Sequence, residues 1–179
     1  MTAAVTGNSP QDRISMWGQG DYSLHTQGAK DVIDHVAPRA VDAVERMDLE
    51  ATDAPFQIVD YAAADGGTSI DLHDRVIGAV RSRVPARPIC VTYTDLPSND
   101  FSALFRIVQG DNPNFRSYVP RYEDVYTFAT ATSFFRPIMP PASVDLGFSA
   151  TAMHWLSEMP WMRRVIRCVR WLRKPRVRI

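Results

Sequence analysis

Cysteine is scarce in this sequence, with only two among 179 residues. Cys90 lies in an apolar run and Cys168 among arginines, so their spacing suits neither a disulfide framework nor a metal cluster. We therefore predict a protein of the reducing cytoplasm. The sequence also lacks an uncharged apolar stretch of about 18 residues, which excludes a transmembrane helix. Residues 1–20 lack the apolar core of a secretory signal.

Several catalytic motifs are absent as well. Gly66 and Gly67 are followed by threonine and serine instead of a P-loop lysine, which argues against a nucleoside triphosphate as the ligand. No Gly-x-Ser-x-Gly elbow occurs, and Cys90 belongs to a predicted buried strand, so the sequence offers no covalent nucleophile. The histidines are too far apart for a zinc motif, and we interpret each as a surface residue or a hydrogen-bonded core residue: His25, His35, His73 and His154.

Charge is unevenly distributed, although 20 basic and 20 acidic residues give a net charge of zero. Residues 160–179 contain eight basic residues and no acidic one, which leaves 12 basic and 20 acidic residues, a net charge of −8, in residues 1–159. Apolar side chains recur at helical spacing in the same tail, which is typical of a basic amphipathic helix. We therefore divide the chain into a polar segment (1–20), a domain (21–160) and a basic tail (161–179). Binding to nucleic acid is not expected, because the acidic body would repel a duplex.

The order of the predicted elements indicates an α/β fold. Four segments are short and rich in apolar, β-branched or aromatic residues, as buried strands are: 56–61, 88–93, 126–131 and 143–148. Predicted helices follow the first two strands and begin after Ser69 and Asp100, which are residue types suited to N-capping. An apolar periodicity over 24–47, interrupted by Pro38, predicts one kinked helix or two short ones. Two successive strand–helix units favour a doubly wound parallel sheet with helices on both faces.

Candidate binding residues lie at the ends of the first two predicted strands. The turn that follows Asp60 has small residues at alternate positions, as a nucleotide-binding turn requires: Ala62, Ala64 and Gly66. Asp95 ends the second strand, where a carboxylate can accept hydrogen bonds from both hydroxyls of a ribose. Because ligands of open α/β sheets bind at the carboxyl ends of the strands, we predict a binding site here. The alternative interpretation is that the glycine turn only connects a strand to a helix and that Asp95 only forms a turn.

Five strings occur in the order seen in the SABATH carboxyl methyltransferases, which this chain resembles from residue 16 to residue 160: 16–22, 60–67, 94–101, 133–135 and 153–157. The most specific are Asp-Leu-Pro-Ser-Asn-Asp-Phe and His-Trp-Leu-Ser. This family comprises the salicylate, jasmonate, benzoate and xanthine-alkaloid enzymes, with bacterial relatives that the chain resembles most. The resemblance implies a Rossmann-like class I methyltransferase sheet, S-adenosylmethionine as the cofactor and a small-molecule carboxylic acid as the substrate.

The predicted cofactor contacts are Tyr22, Asp60, Asp95, Leu96, Ser133 and Phe134, which the resemblance assigns, and Gly66, which the pattern of small residues in the turn adds. Asp60 would lie near the methionine portion of the cofactor. Asp95 and Leu96 would hold the ribose and adenosine, and Ser133 with Phe134 would line the adenine pocket.

Acceptor contacts are implied for Trp155, which would lie over the substrate carboxylate, and for Thr151, which stands where plant members have an aromatic hydroxyl. Ala62 replaces the first glycine of the family's turn, a change that is tolerable if this residue has a negative φ. The implied reaction needs neither a metal nor a catalytic base, because a carboxylate is already a nucleophile and the sulfonium methyl is already activated. Rate enhancement would come from in-line positioning and from exclusion of water.

The resemblance covers only the first half of a family member. In the family, a second stretch adds further strands and a helical cap over the acceptor. We therefore expect an incomplete sheet without that C-terminal cap, a tail from an out-of-frame or truncated end, and low activity. The alternative is a noncatalytic cofactor-binding or interaction protein whose basic tail contacts a partner or a membrane surface. An uncovered sheet edge would also favour a homodimer.

Overall fold

The computed structural model describes residues 21–152. Its elements, in chain order, are α1 (Asp21–His25), α2 (Gln27–Glu45), β1 (Phe56–Tyr61), α3 (Ile70–Arg83), β2 (Ile89–Asp95), α4 (Phe101–Gln109), β3 (Val125–Ala131) and β4 (Leu146–Phe148). Within these residues, no helix combines the length and the hydropathy of a membrane span.

The strands form one parallel sheet in the order β3-β2-β1-β4. β1 pairs with β2 along its whole length, from Phe56 opposite Ile89 to Tyr61 opposite Thr94, and with β4 on its other side. The chain therefore runs outward from β1 to β3 and then returns across β1 to β4. This order confirms an incomplete Rossmann-like α/β fold, with its topological switch point between β1 and β4.

The core lies between the sheet and the long helices. The sheet contributes alternate residues of β1 and β2, which therefore share one face: Phe56, Ile58, Ile89, Val91 and Tyr93. The helices contribute mainly branched aliphatic side chains, among them Ile33, Val44, Val76, Ile77, Val80, Leu104 and Ile107. Right-handed crossovers between parallel strands place α3 and α4 on the same face. α2 packs against α3, so α2, α3 and α4 cover one face of the sheet, whereas the sequence predicted helices on both.

Local signals explain where the helices begin and end. The Asp100 carboxylate accepts a hydrogen bond from the Ala103 N–H at 2.9 Å, and Gly110, with φ of 90°, ends α4 in the left-handed conformation. Pro38 lies inside α2, which is one continuous helix, and the break in the chain comes earlier, at Thr26. Ala37 and Ala40 beside Pro38 are buried, so α2 packs against the core at the position where proline cannot donate a helical hydrogen bond.

Candidate functional site

A small cleft opens at the carboxyl end of β1, at the switch point beside β4. Its walls come from α1, from the turn between β1 and α3, and from the segment after β4, and they consist of Tyr22, Asp60, Ala62, Ala63, Ala64, Thr68, Ser69, Ala150 and Thr151. Three residues that the sequence assigned to the site, Tyr22, Asp60 and Thr151, are brought together here. Ligands of doubly wound sheets bind at this position.

Asp60 contributes a buried carboxyl group to the cleft, with 2% of its surface exposed. Its Oδ2 accepts a hydrogen bond from the Ser69 hydroxyl at 2.7 Å. Burial raises the pKa of Asp60 to about 7; the Ser69 bond opposes this rise and the negative charge of Asp95 adds to it. The carboxyl group can therefore be neutral in the free protein and ionise when a cationic ligand group approaches.

A chain of buried polar side chains lies beneath Asp60, and sequence analysis did not connect them. The His73 Nδ1 is 3.2 Å from the Tyr93 hydroxyl, which is 2.8 Å from the Tyr118 hydroxyl. The His73 Nε2 lies 3.8 Å from Asp60 Oδ2 and has no hydrogen-bond partner among the described residues. Burial lowers the pKa of His73 to about 3, so the imidazole is neutral and forms no ion pair with Asp60.

His73 is thus a core histidine, one of the two possibilities that the sequence left open. The sequence does indicate that His73 lies near Ser69, because the two residues are four positions apart and therefore share one side of the helix that follows β1. His25 and His35 are on α1 and α2 and are not among the residues that line the cleft. His154 lies outside the described residues.

The turn after β1 alternates between ordinary and left-handed backbone. Ala62, Ala64 and Gly66 have φ values of 62°, 51° and 73°. The alternation of small residues therefore corresponds to an alternation in conformation. A negative φ, the condition under which alanine would be tolerable at position 62, is therefore not met. A Cβ on Gly66 would face Tyr93 and Val108 at 3.4 and 3.5 Å, so Gly66 shapes the turn from its core side and does not line the cleft.

We expect Ala62→Gly to stabilise the folded chain by about 1 kcal/mol, because an L-residue in the left-handed region carries a steric cost that glycine does not. Ala63→Gly is the matched control. Ala63 is buried and has no positive φ, so its replacement should destabilise the chain. Urea denaturation of both variants measures the two changes, and a loss of stability in Ala62→Gly would contradict the strain.

Asp95 braces the same turn from the end of β2. Its Oδ2 accepts a hydrogen bond from the Ala64 N–H at 2.7 Å, and its Oδ1 accepts one from the Leu96 N–H at 2.7 Å. The Asn99 side-chain amide donates to the Ala64 carbonyl, also at 2.7 Å. Burial raises the pKa of Asp95, and the two backbone hydrogen bonds oppose that rise. Among the described residues each oxygen accepts one hydrogen bond, so the carboxylate can stabilise the turn and still accept hydrogen bonds from a ligand.

The remaining predicted contact residues lie along the carboxyl ends of the strands. Leu96 is 44% exposed just beyond β2. Ser133 and Phe134 lie in the loop after β3, where the Phe134 ring is 4.6 Å from that of Phe135; they do not line the cleft. Trp155 lies outside the described residues. The predicted contact residues therefore follow one another along the carboxyl ends of β1, β2 and β3.

Known proteins are similar to this chain in sequence and in fold. A model of the family described as SAM dependent carboxyl methyltransferase matches residues 11–167. Methyltransferase FUS9 of Gibberella fujikuroi is 27% identical over 166 residues, covering 87% of this chain and 42% of that protein. Indole-3-acetate O-methyltransferase 1 of Arabidopsis thaliana is 26% identical over 163 residues, covering 80% and 40%.

The fold is also found in a solved structure of loganic acid methyltransferase with SAH, with a TM-score of 0.63 and 26% identity over 79% of this chain and 40% of that one. The chain thus spans about 40% of the length of these relatives. They are fungal and plant proteins where an organism is named, so the expected bacterial affinity stays a prediction. Because the family model matches most of its length, this chain belongs to the SAM dependent carboxyl methyltransferases, the SABATH family.

Proposed function

We propose that this chain binds S-adenosylmethionine in the cleft between β1 and β4 and forms the cofactor half of a methyltransferase that acts on the carboxylate of a small molecule. The observation that carries the proposal is the convergence of Tyr22, Asp60 and the left-handed turn at the switch point of a sheet of this family. Small residues on the turn leave its backbone accessible, and the Asp60 carboxyl faces the same cleft.

Each group at this edge has a role that suits the cofactor. Asp60 can accept a hydrogen bond from the ammonium of the methionine portion, and the free lone pairs of Asp95 can accept the ribose hydroxyls. Leu96, Ser133 and Phe134 follow along the edge, where they would flank the adenine. When bound, the cofactor supplies an activated sulfonium methyl group. The protein holds it in line with the acceptor oxygen and excludes water.

Trp155 and Thr151 are proposed acceptor contacts. Thr151 lines the cleft and has φ of 56°, an unusual conformation for a β-branched residue. Such strain is often found beside binding sites. The identity of the acid is not specified by these residues, and the acids named for the relatives, indole-3-acetate and loganic acid, belong to those proteins.

Two further proposals concern the cellular location and the oligomeric state of the protein. We propose a cytoplasmic location, supported by the low cysteine content and the buried free thiol of Cys90. We also propose a homodimer, supported by Tyr126 and Phe128, which are each about half exposed on β3 at the edge of the described sheet. Light scattering coupled to size exclusion tests the dimer.

Calorimetric titration with S-adenosylhomocysteine tests the proposed function. We expect the wild-type chain to bind and Asp95→Ala to bind at least about tenfold more weakly, because the loss of this carboxylate frees the turn and removes the acceptors for ribose. Asp145→Ala is the matched control. Asp145 also accepts a backbone N–H, that of Gln57 at 2.8 Å, but it lies at the opposite end of β1. Absence of binding by the wild-type chain would refute the proposal.

A further inference from the structure

The short helix α1 is fastened to the turn after β1 through one buried carboxylate. Asp65 Oδ2 accepts a hydrogen bond from the Ser23 N–H at 2.9 Å, and its Oδ1 accepts hydrogen bonds from the Ser23 hydroxyl and from the Gly67 N–H, the latter at 3.1 Å. Both Asp65 and Ser23 are buried. One side chain therefore joins the N-terminal helix to the segment that forms the floor of the cleft.

Gly67 provides a second, independent observation at the same contact. A Cβ on Gly67 would lie 2.7 Å from Ser23 Oγ, 2.8 Å from Ser23 Cβ and 2.6 Å from Phe115 Cε1. The lack of a side chain at this position lets α1 approach the backbone of the turn. We call the group Ser23, Asp65 and Gly67 the α1 anchor.

The anchor matters because α1 has little stability of its own. It contains five residues, too few for a helix to persist without tertiary contacts. The bond from the Thr26 hydroxyl to the Tyr22 carbonyl, 2.8 Å long, stays within the N-terminal segment and does not reach the sheet. The anchor therefore supplies a tertiary connection that α1 needs in order to persist beside the turn.

We propose that Asp65 is a positioning residue that holds Tyr22 across the cleft, with Gly67 as the surface on which α1 rests. Tyr22 lines the cleft and is bonded in sequence to Ser23, whereas the anchor residues do not line it. Asp65 acts through Tyr22. It already restricts the Tyr22 side chain in the free protein, so less conformational freedom is lost when ligand binds. The inference rests on the proposed cofactor site.

The test is a double-mutant cycle on S-adenosylhomocysteine affinity with Asp65→Ala, Tyr22→Ala and the double variant. Asp65→Ala should bind about tenfold more weakly than the wild-type chain. If Asp65 acts through Tyr22, the double variant should bind within about twofold of Tyr22→Ala. Full additivity of the two losses, or wild-type affinity in Asp65→Ala, would overturn the proposal.

Asp71→Ala is the matched control, because it removes another carboxylate that joins two elements. Asp71 accepts a hydrogen bond from Lys30 at 2.7 Å, and this bond joins α3 to α2. Its affinity should stay within about twofold of wild type. Ser23→Ala is the milder variant should Asp65→Ala fail to fold; it removes only the hydroxyl bond and should weaken binding about threefold, again only when Tyr22 is present.

Hydrogen exchange separates this inference from the proposed function. The Ser23 amide donates to Asp65, so Asp65→Ala should speed the exchange of α1 amides at least about tenfold while β1 amides stay protected. This readout needs no ligand. If the wild-type chain does not bind S-adenosylhomocysteine, the proposed function fails, and unchanged α1 exchange in Asp65→Ala would independently refute the anchor.

Discussion

Asp60→Asn is expected to weaken S-adenosylhomocysteine binding by about a hundredfold and, at the same time, to make the folded chain more stable at neutral pH. The binding loss follows from removing the buried carboxylate that faces the cleft, since a neutral amide cannot balance a ligand ammonium. The asparagine keeps an acceptor oxygen for the Ser69 hydroxyl, so the local hydrogen bond survives. The variant therefore tests the charge and leaves the shape nearly unchanged.

The gain in stability follows from the sign of the pKa shift. Burial raises the pKa of Asp60 to about 7, well above that of an exposed aspartate. From about pH 4 to about pH 7 the unfolded chain loses this proton while the folded chain keeps it, so ionisation destabilises the folded state progressively as the pH rises. The amide that replaces the carboxyl group in Asp60→Asn cannot ionise in either state. At pH 7.5 the variant should be more stable by roughly 2–4 kcal/mol, and the difference should vanish near pH 4.

Urea denaturation at several pH values, together with calorimetric titration, measures both effects. Asp145→Asn serves as control, because Asp145 is paired with Arg87, at 3.6 Å, at the other end of the sheet. This control should lose stability and keep its affinity. If Asp60→Asn were less stable than the wild-type chain at pH 7.5, the carboxylate would have to be stabilised by contacts other than the single Ser69 bond.

The strands and the edge that carries the site could be predicted from the sequence, because both depend on local patterns. A short run rich in apolar and β-branched residues between turn residues is typical of a buried strand, and residues 56–61 coincide with β1. The positions of Asp60 and Asp95 at adjacent strand ends then follow from parallel pairing. β4 is shorter than predicted, since only residues from Leu146 onward reach β1.

The side-chain contacts within the site could not be predicted, because they join residues far apart in the chain. Ser23 and Asp65 are separated by 42 positions, and Tyr93 and Tyr118 by 25. The hydrophobic periodicity of the sequence gives no information about such distant pairs. The backbone of Ala62 is a related case: an alanine gives no sign of positive φ, and Asp95 and Asn99 hold the neighbouring Ala64 peptide that completes the turn.

Affinity for S-adenosylhomocysteine is expected to rise with pH, by about tenfold per unit from pH 5 to pH 7, and then to level off. Below pH 7 the Asp60 carboxyl is protonated in the free protein, and a cationic ligand group binds its ionised form. Binding must therefore release a proton, and the cost of that release falls as the pH approaches the pKa of Asp60. Above pH 7 no proton is released and the affinity becomes constant.

The other titratable groups around Asp60 do not produce this profile. Burial keeps His73 neutral, with a pKa of about 3, and raises the pKa of Tyr93 and of Tyr118, so these three groups hold one protonation state from pH 5 to pH 8. Asp95 also has a raised pKa, so mutation is needed to distinguish its effect on the profile from that of Asp60. Asp95→Asn should bind more weakly yet keep the slope, whereas Asp60→Asn should bind with the same low affinity at every pH.

Titration in two buffers of different ionisation enthalpy counts the released protons directly. Close to one proton should be released at pH 5.5 and almost none at pH 8, because Asp60 is then already ionised before the ligand arrives. A flat affinity profile in the wild-type chain, or proton release that persists in Asp60→Asn, would show that Asp60 does not face the cationic part of the ligand. The buried aspartate would then be a structural group held by Ser69, and the ligand would depend on Asp95 and the backbone of the turn.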